Sequence, residues 1–245
     1  MRWSLVARFA LMPLAVPAAA QTPAARSGLE VKWVRDSEEY ATLTRQVYRV
    51  ALRQVTAARD ALPRGRAWAV VLDVAQTALD DAVYQLERLA YGVPHDTLVW
   101  GAWRAREDAG AVPGVVEFVA GVRRIGGRVA WISNDQASTS DHIRVNLGKL
   151  GAWSDGDLLC LPTSDTAYTK AARRAEVRSG SGQCAWNREP MTVLGFVGDQ
   201  LGDFPAAGET DPDAGNDAAF GVRYFLLPDP MYGAWERRVT RRRDR

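Results

Sequence analysis

Four short, largely apolar runs recur along the chain: Trp68-Ala69-Val70-Val71-Leu72, Val129-Ala130-Trp131-Ile132, Val193-Leu194-Gly195-Phe196-Val197 and Val222-Arg223-Tyr224-Phe225-Leu226-Leu227. They are too short for helices and show little polar alternation, so they read as strands buried on both faces, the habit of parallel sheets. Between them, apolar positions fall at helical spacing. Leu43, Val47, Val50, Ala51 and Val55 mark one face of a long helix running to about Leu62. Asp36, with Glu39 three residues later, resembles its N-cap and capping-box partner, and Pro63-Arg64-Gly65-Arg66 ends it. One continuous helix is therefore expected across residues 29–62. Two more are expected from Pro113 to Ile125, with proline in the first turn, and from Ser140 to Leu150. Strands alternating with helices predict an α/β domain on a parallel sheet, and no internal repeat interrupts that pattern.

Composition narrows the class without changing it. The 245 residues suffice for one large core, and 47% hydrophobic with 24% charged residues excludes a collagen, a coiled-coil rod or wholesale disorder. The N-terminus adds a compartment. Arg2 and Arg8 flank a short apolar run that ends in Ala18-Ala19-Ala20, the three regions of a secretory signal peptide, with cleavage expected after Ala20. Residues 21–28 (QTPAARSG) then read as a disordered mature start, and no later segment reaches the roughly 18 apolar residues of a membrane span. A soluble, periplasmic or secreted protein is expected, with no lipid-anchor cysteine near the cleavage site. The formal charge of +2 conceals a basic tail, residues 237–245, whose six Arg and one Asp leave the mature body acidic. That body offers no nucleic-acid surface. Cys160 and Cys184 would meet an oxidising compartment, but nothing in the sequence brings their Cβ atoms together, and pairing is left open with the balance toward free thiols.

In a parallel α/β sheet, chemistry collects at the carboxyl ends of the strands. The first three runs are succeeded by Asp73-Val74-Ala75-Gln76-Thr77, by Ser133-Asn134, and by Gly198-Asp199-Gln200-Leu201-Gly202-Asp203. An Asp after a buried strand is more often a turn former; here, however, acids and a hydroxyl–amide pair converge from three strands. Carboxylates so placed can hold Mg²⁺, and Ser and Asn can donate to phosphate oxygens. His95 and His142 are too few and too far apart for a histidine phosphatase or a zinc site.

With those residues in view, the chain resembles the haloacid-dehalogenase-like phosphatases, and among them the bacterial class C acid phosphatases (subfamily IIIB). The first motif of that family, D-x-D-x-T with a subsequent L-D-N, is met by Asp73, Thr77, Leu79, Asp80 and Asp81. The second is met by Ser133 and Asn134, though Asp135 stands where Arg is usual. Lys170, in Lys170-Ala171-Ala172-Arg173, fits the lysine that precedes the fourth motif, and Gly198, Asp199, Asp203 and Phe204 fit that motif itself. Trp33, Ser37-Glu38-Glu39-Tyr40, Trp100-x-x-Trp103, Val112-Pro113-Gly114 and the segment Leu227 to Glu236 carry the class C flavour. The resemblance spans residues 30–236.

It implies a three-layer α/β/α haloacid-dehalogenase-like domain over residues 29–236, with a small helical cap segment at 78–112. It also implies phosphomonoester hydrolysis in two displacements: Asp73 attacks phosphorus, and water then cleaves the aspartyl-phosphate. Mg²⁺ would be held by Asp73, Asp199 and the backbone carbonyl of Ala75, with Lys170 beside the nucleophile, Ser133 and Asn134 on the phosphate, and Asp203 and Thr77 in support. Trp100 and Tyr232 are candidates for contact with the rest of a small phosphomonoester, nucleotides included; Trp103 and Trp235 are read as core.

Ala75 is the consequential departure. The family places there a second Asp that protonates the leaving alcohol and activates water, a contribution of about 10²- to 10⁴-fold. Asp135 would add negative charge near the phosphate if it pointed inward, and Asp80 and Asp81 have family counterparts of their own. Three readings compete: a phosphatase of impaired or narrowed activity, a non-catalytic phosphate- or nucleotide-binding module, and a phosphonatase. The last ranks third because phosphonatases share Asp-x-Ala but need a cap lysine, and residues 78–112 contain none.

Overall fold

The computed structural model describes residues 28–237. The expected signal peptide, the mature start before Gly28 and the tail after Arg237 lie outside the described residues. Five strands, β1 (Trp68–Leu72), β4 (Arg128–Ile132), β5 (Leu158–Cys160), β6 (Thr192–Gly198) and β7 (Tyr224–Leu226), form one sheet in the order β5-β4-β1-β6-β7. Every pairing is parallel, and Leu72 at the end of β1 lies opposite Trp131 on one side and Val197 on the other. The residues just beyond those three positions are thereby gathered at one edge.

Both faces of the sheet are covered, which accounts for the continuous apolar runs. Val70, Leu72, Val129, Trp131 and Val197 pack beneath helices α1 (Leu29–Asp36), α2 (Glu38–Asp60), α5 (Val115–Arg124) and α6 (Ser140–Lys149). Ala69, Val71, Ala130, Ile132 and Phe196 pack on the other face with Val177 of α7 (Lys170–Ser179), Trp186 and Met191. Helices α2 and α5 touch closely: a Cβ on Gly121 would lie 2.6 Å from Leu52 Cδ2, so a larger residue there requires the Leu52 side chain to shift. Among the described residues, no helix is long and apolar enough to cross a membrane.

The expected single helix over 29–62 is two helices. Ser37 is extended (φ −94°, ψ 137°); its hydroxyl donates to the Trp33 carbonyl at 2.6 Å and accepts the Tyr40 N–H at 3.1 Å. One side chain thus ends α1 and caps α2, while Asp36, the expected cap, is held by Arg35 instead. Pro113 precedes α5 rather than entering its first turn, since Gly114 is the N-cap. The three-residue β5 was not expected. Strand β7 starts at Tyr224, two residues later than the apolar run suggested.

Immediately beyond β1, a short antiparallel pair, β2 (Leu79–Asp80) and β3 (Gly110–Ala111), forms the neck of an insert made of α3 (Ala82–Tyr91) and α4 (Thr97–Arg104). Cys160, at the end of β5, is disulfide-bonded to Cys184, with Cα atoms 5.7 Å apart. This corrects the expectation of free thiols. The second face of the sheet brings the two together, because α7 leaves from the β5 side and the chain then returns past Cys184 toward β6.

Candidate active site

The chain leaves β1 through a tight turn that presents Asp73 and buries Val74, Gln76 and Thr77. Asp73 N–H still donates to the Val197 carbonyl (3.0 Å), and Ala78 and Leu79 N–H both close on the Val74 carbonyl (2.8 and 2.9 Å). Gln76 takes a left-handed conformation (φ 53°), uncommon outside glycine. Three bonds hold it there: its N–H to the Leu79 carbonyl, its Nε2 to Tyr40 Oη at 2.8 Å, and the Asp81 N–H to its Oε1 at 3.2 Å. Tyr48 Oη donates to the Thr77 carbonyl at 2.6 Å, so α2 braces the turn from behind. No backbone N–H among the described residues donates to the Ala75 carbonyl.

Strand β6 delivers Asp199. Thr77 Oγ1 donates to Asp199 Oδ1 (2.9 Å) and Gln200 Nε2 to Oδ2 (2.7 Å). Asp203 lies one turn on, accepting the Gln200 N–H at 2.9 Å, and Gly198 is required because a Cβ there would sit 2.4 Å from that of Asp203. Lys170, the first residue of α7, bonds Asp73 and also Asp203, the latter at 2.6 Å.

Oxygens of Asp73, Asp199 and Asp203 all lie within 4.8 Å of one another, and all three residues are buried. Burial pushes the Asp73 carboxyl up to about 6 against the pull of Lys170, with Asp203 adding to the rise. Asp199 is held well above the usual carboxylate range by burial and by Asp73 and Asp203. Burial works against the Lys170 charge, yet Asp73 and Asp203 keep its pKa raised. Three acids against one cation make a site short of positive charge, the setting a divalent cation suits. Asp73, Asp199 and the unoccupied lone pairs of the Ala75 carbonyl are the oxygen donors that fit one; Asp203 already serves Lys170 and Gln200.

After β4, the predicted phosphate-binding pair divides. Asn134 is exposed, and its Oδ1 accepts from Arg173 Nη2 at 2.7 Å, which leaves Nδ2 as a donor. Arg173 is buried on α7 and also donates to the Ser133 and Cys160 carbonyls. Ser133 Oγ donates to Asp135 Oδ2 and accepts the Asp135 N–H, both at 3.1 Å, so in this arrangement its proton faces Asp135 rather than a phosphate. Asp135 in turn accepts from Trp100 Nε1 and from Arg104 Nη2, the latter at 3.0 Å.

These residues line a cavity of about 470 Å³. Asp73, Ala75, Ser133, Asn134, Lys170 and Asp199 form its floor, and Gln85, Arg88, His95, Thr97 and Trp100 of the insert form one wall. Tyr232 and Gln200 complete it, with Tyr232 Oη donating to Asp81 Oδ2 at 2.8 Å. Trp100 reaches the lining but is only 8% exposed, stacked on Trp103. Trp103 is core, as expected; Trp235 is 48% exposed and is not. Thr77 and Asp203 stand behind the floor, hydrogen-bonded to Asp199 and Lys170 respectively.

Several contributors were missed in the sequence. Arg173 had a signal, since it lies three residues after Lys170 on the same helix. Tyr40 and Gln76 stood in segments the sequence singled out, but nothing there pairs them, and Tyr48 had no signal, because these contacts join α2 to a turn about 30 residues away. The family described as HAD superfamily, subfamily IIIB (acid phosphatase), matches residues 7–235. The chain belongs to that family. Its fold is similar to that of the class C acid phosphatase from Bacillus anthracis, with a TM-score of 0.70 and 25% identity over 85% of each chain. A second structure of the same enzyme, with tungstate bound, matches with a TM-score of 0.68 at 25% identity, again over 85% of each chain. Subfamily IIIB membership makes the chain a class C acid phosphatase-like protein with small phosphate esters as its substrate class.

Proposed function

We propose that the protein is an exported, Mg²⁺-dependent phosphomonoesterase that works through an aspartyl-phosphate on Asp73, and that Ala75 limits its turnover. The observation that carries this reading is the buried Asp73 carboxylate bonded to Lys170 at the floor of an open cavity, beside Asp199, with only a methyl group at position 75. Lys170 orients Asp73 for in-line attack and offsets phosphate charge. Asn134 donates through Nδ2, with its orientation set by Arg173. Ser133 can join it only by turning its hydroxyl away from Asp135. Asp73, Asp199 and the Ala75 carbonyl would hold Mg²⁺, which supplies charge neutralisation at the phosphoryl oxygens when bound.

Alanine can neither protonate a leaving alcohol nor activate water, so substrates whose leaving group needs no proton are favoured. Export is supported by the N-terminal sequence pattern and by the Cys160–Cys184 disulfide, a bond that persists in oxidising compartments. The same Ala75 favours a second reading, a phosphate- or nucleotide-binding module without turnover. One assay separates them: an aryl phosphate with Mg²⁺, the parent protein beside Asp73→Asn. Hydrolysis by the parent that Asp73→Asn abolishes is the expected result; equal rates would end the proposal, and tight phosphate binding without turnover would leave the second reading.

A further inference from the structure

The insert wall carries chemistry that hydrolysis does not use. Arg88, near the end of α3, has no carboxylate partner among the described residues, unlike its neighbours Arg104 and Arg106, which pair with Asp135 and Glu87. Its Nη1 donates to Gln85 Oε1 at 2.8 Å, and its guanidinium lies 5.7 Å from the Tyr84 ring centroid. Its Nε is buried with no acceptor. Beside it, His95 Nδ1 lies 3.0 Å from Tyr84 Oη, and the ring meets Trp100 edge-on. Burial and Arg88 hold the His95 pKa below the usual imidazole range, which favours the neutral ring.

A guanidinium without a carboxylate partner among the described residues and an imidazole therefore share one wall with the phosphate floor, in a cavity large enough for a small organic ligand. We propose that Arg88, oriented by Gln85 and assisted by His95, binds a second anionic group, carboxylate or phosphate, at the far end of the substrate. The substrates this site takes are thus phosphate esters bearing further negative charge. This rests on the phosphatase reading above, which supplies the first anchor.

Binding of non-hydrolysable analogues tests it without reference to turnover. Calorimetry with Mg²⁺ present would compare phenylphosphonate, carboxyphenylphosphonate and phenylene bisphosphonate on the parent, Arg88→Gln and Arg88→Lys, each checked for an unchanged melting temperature. A charge-assisted contact predicts that the parent binds one or both doubly anionic compounds roughly 10- to 100-fold more tightly than phenylphosphonate. Which of the two gains more tells carboxylate from phosphate. Arg88→Gln should erase the preference while leaving phenylphosphonate affinity unchanged, and Arg88→Lys should restore part of it. Equal affinities in the parent, or a preference that survives Arg88→Gln, would overturn the subsite alone. Failure of phenylphosphonate itself to bind would overturn the phosphate site as well.

Discussion

Arg104 and Asp135 form an ion pair at 3.0 Å with both side chains almost wholly out of solvent. The resemblance puts arginine at the position of Asp135, whose negative charge is expected near the phosphate if the side chain points inward. Asp135 does line the cavity, and Arg104, Trp100 Nε1 and the Ser133 hydroxyl share its carboxylate, with the Arg104 guanidinium 4.4 Å from the Trp100 ring centroid. The departure fastens the insert to the floor of the site.

Removing one partner leaves the other buried and uncompensated, which costs about 3–5 kcal/mol. Arg104→Met alone should destabilise the fold by that order in urea titrations, whereas Arg104→Met with Asp135→Asn should recover much of the loss. Additive losses in the double variant would show that the two residues do not act as a pair.

Ala75→Asp should raise alkyl phosphate hydrolysis by about 10²-fold or more, the lower end of a general acid–base contribution. In the parent, an aryl phosphate should phosphorylate Asp73 faster than water releases it, so acid quenching should trap phosphoprotein. A parent that already matches the Asp variant on alkyl phosphates would mean that another group supplies the proton.

The disulfide joins residues 24 apart and encloses all of α7, including Lys170 and Arg173. Chain-entropy reasoning gives such a cross-link about 3 kcal/mol. Reduction, or Cys184→Ser, should lower the melting temperature and, because Lys170 and Arg173 lose their tether, reduce kcat more than it raises KM. Unchanged kcat after full reduction would disconnect the bond from the site.

Asp229 supplies a pH prediction. Burial pushes its carboxyl up to about 7, and its Oδ2 has no hydrogen-bond partner, although Oδ1 accepts the Met231 N–H at 2.8 Å. A folded pKa above the unfolded value near 3.9 means that the native state holds a proton the unfolded chain releases, so this contribution is present below about pH 4 and fades as pH rises through about 7. Asp229→Asn should flatten the fall in melting temperature between pH 4 and 7. A parent and variant with parallel curves would refute the assignment.

Much of the fold was legible because the central strands β1, β4 and β6 are buried on both faces and write apolar runs; β5 is an edge strand whose Leu158 and Leu159 are only partly buried. That Asp73, Asn134 and Asp199 share one cavity was legible from their places at strand ends, and Lys170 joins them as the resemblance implied. What sequence hid was who holds them: Arg173 on Asn134, Tyr40 on Gln76 and Arg104 on Asp135 are contacts between distant segments whose residue types are ordinary helix-surface ones. The break at Ser37 was half legible, since Asp36, one residue before it, reads as an N-cap, yet the helix is still expected back to residue 29. Apolar spacing runs through it unchanged, and only a serine hydroxyl bonding in both directions separates the two helices.

Strand β1 lies in the middle of the sheet, and both of its neighbours are made later: β4 begins 60 residues after it and β6 more than 120. The first third of the chain therefore has no sheet to join when it is synthesised, and its most apolar strand must wait unpaired for the C-terminal half. Pairings of such long sequence separation slow folding and leave β-prone segments open to association meanwhile. Under the proposed export, that same delay works in the chain's favour, because the strand that leads to Asp73 cannot lock into place before the membrane is crossed.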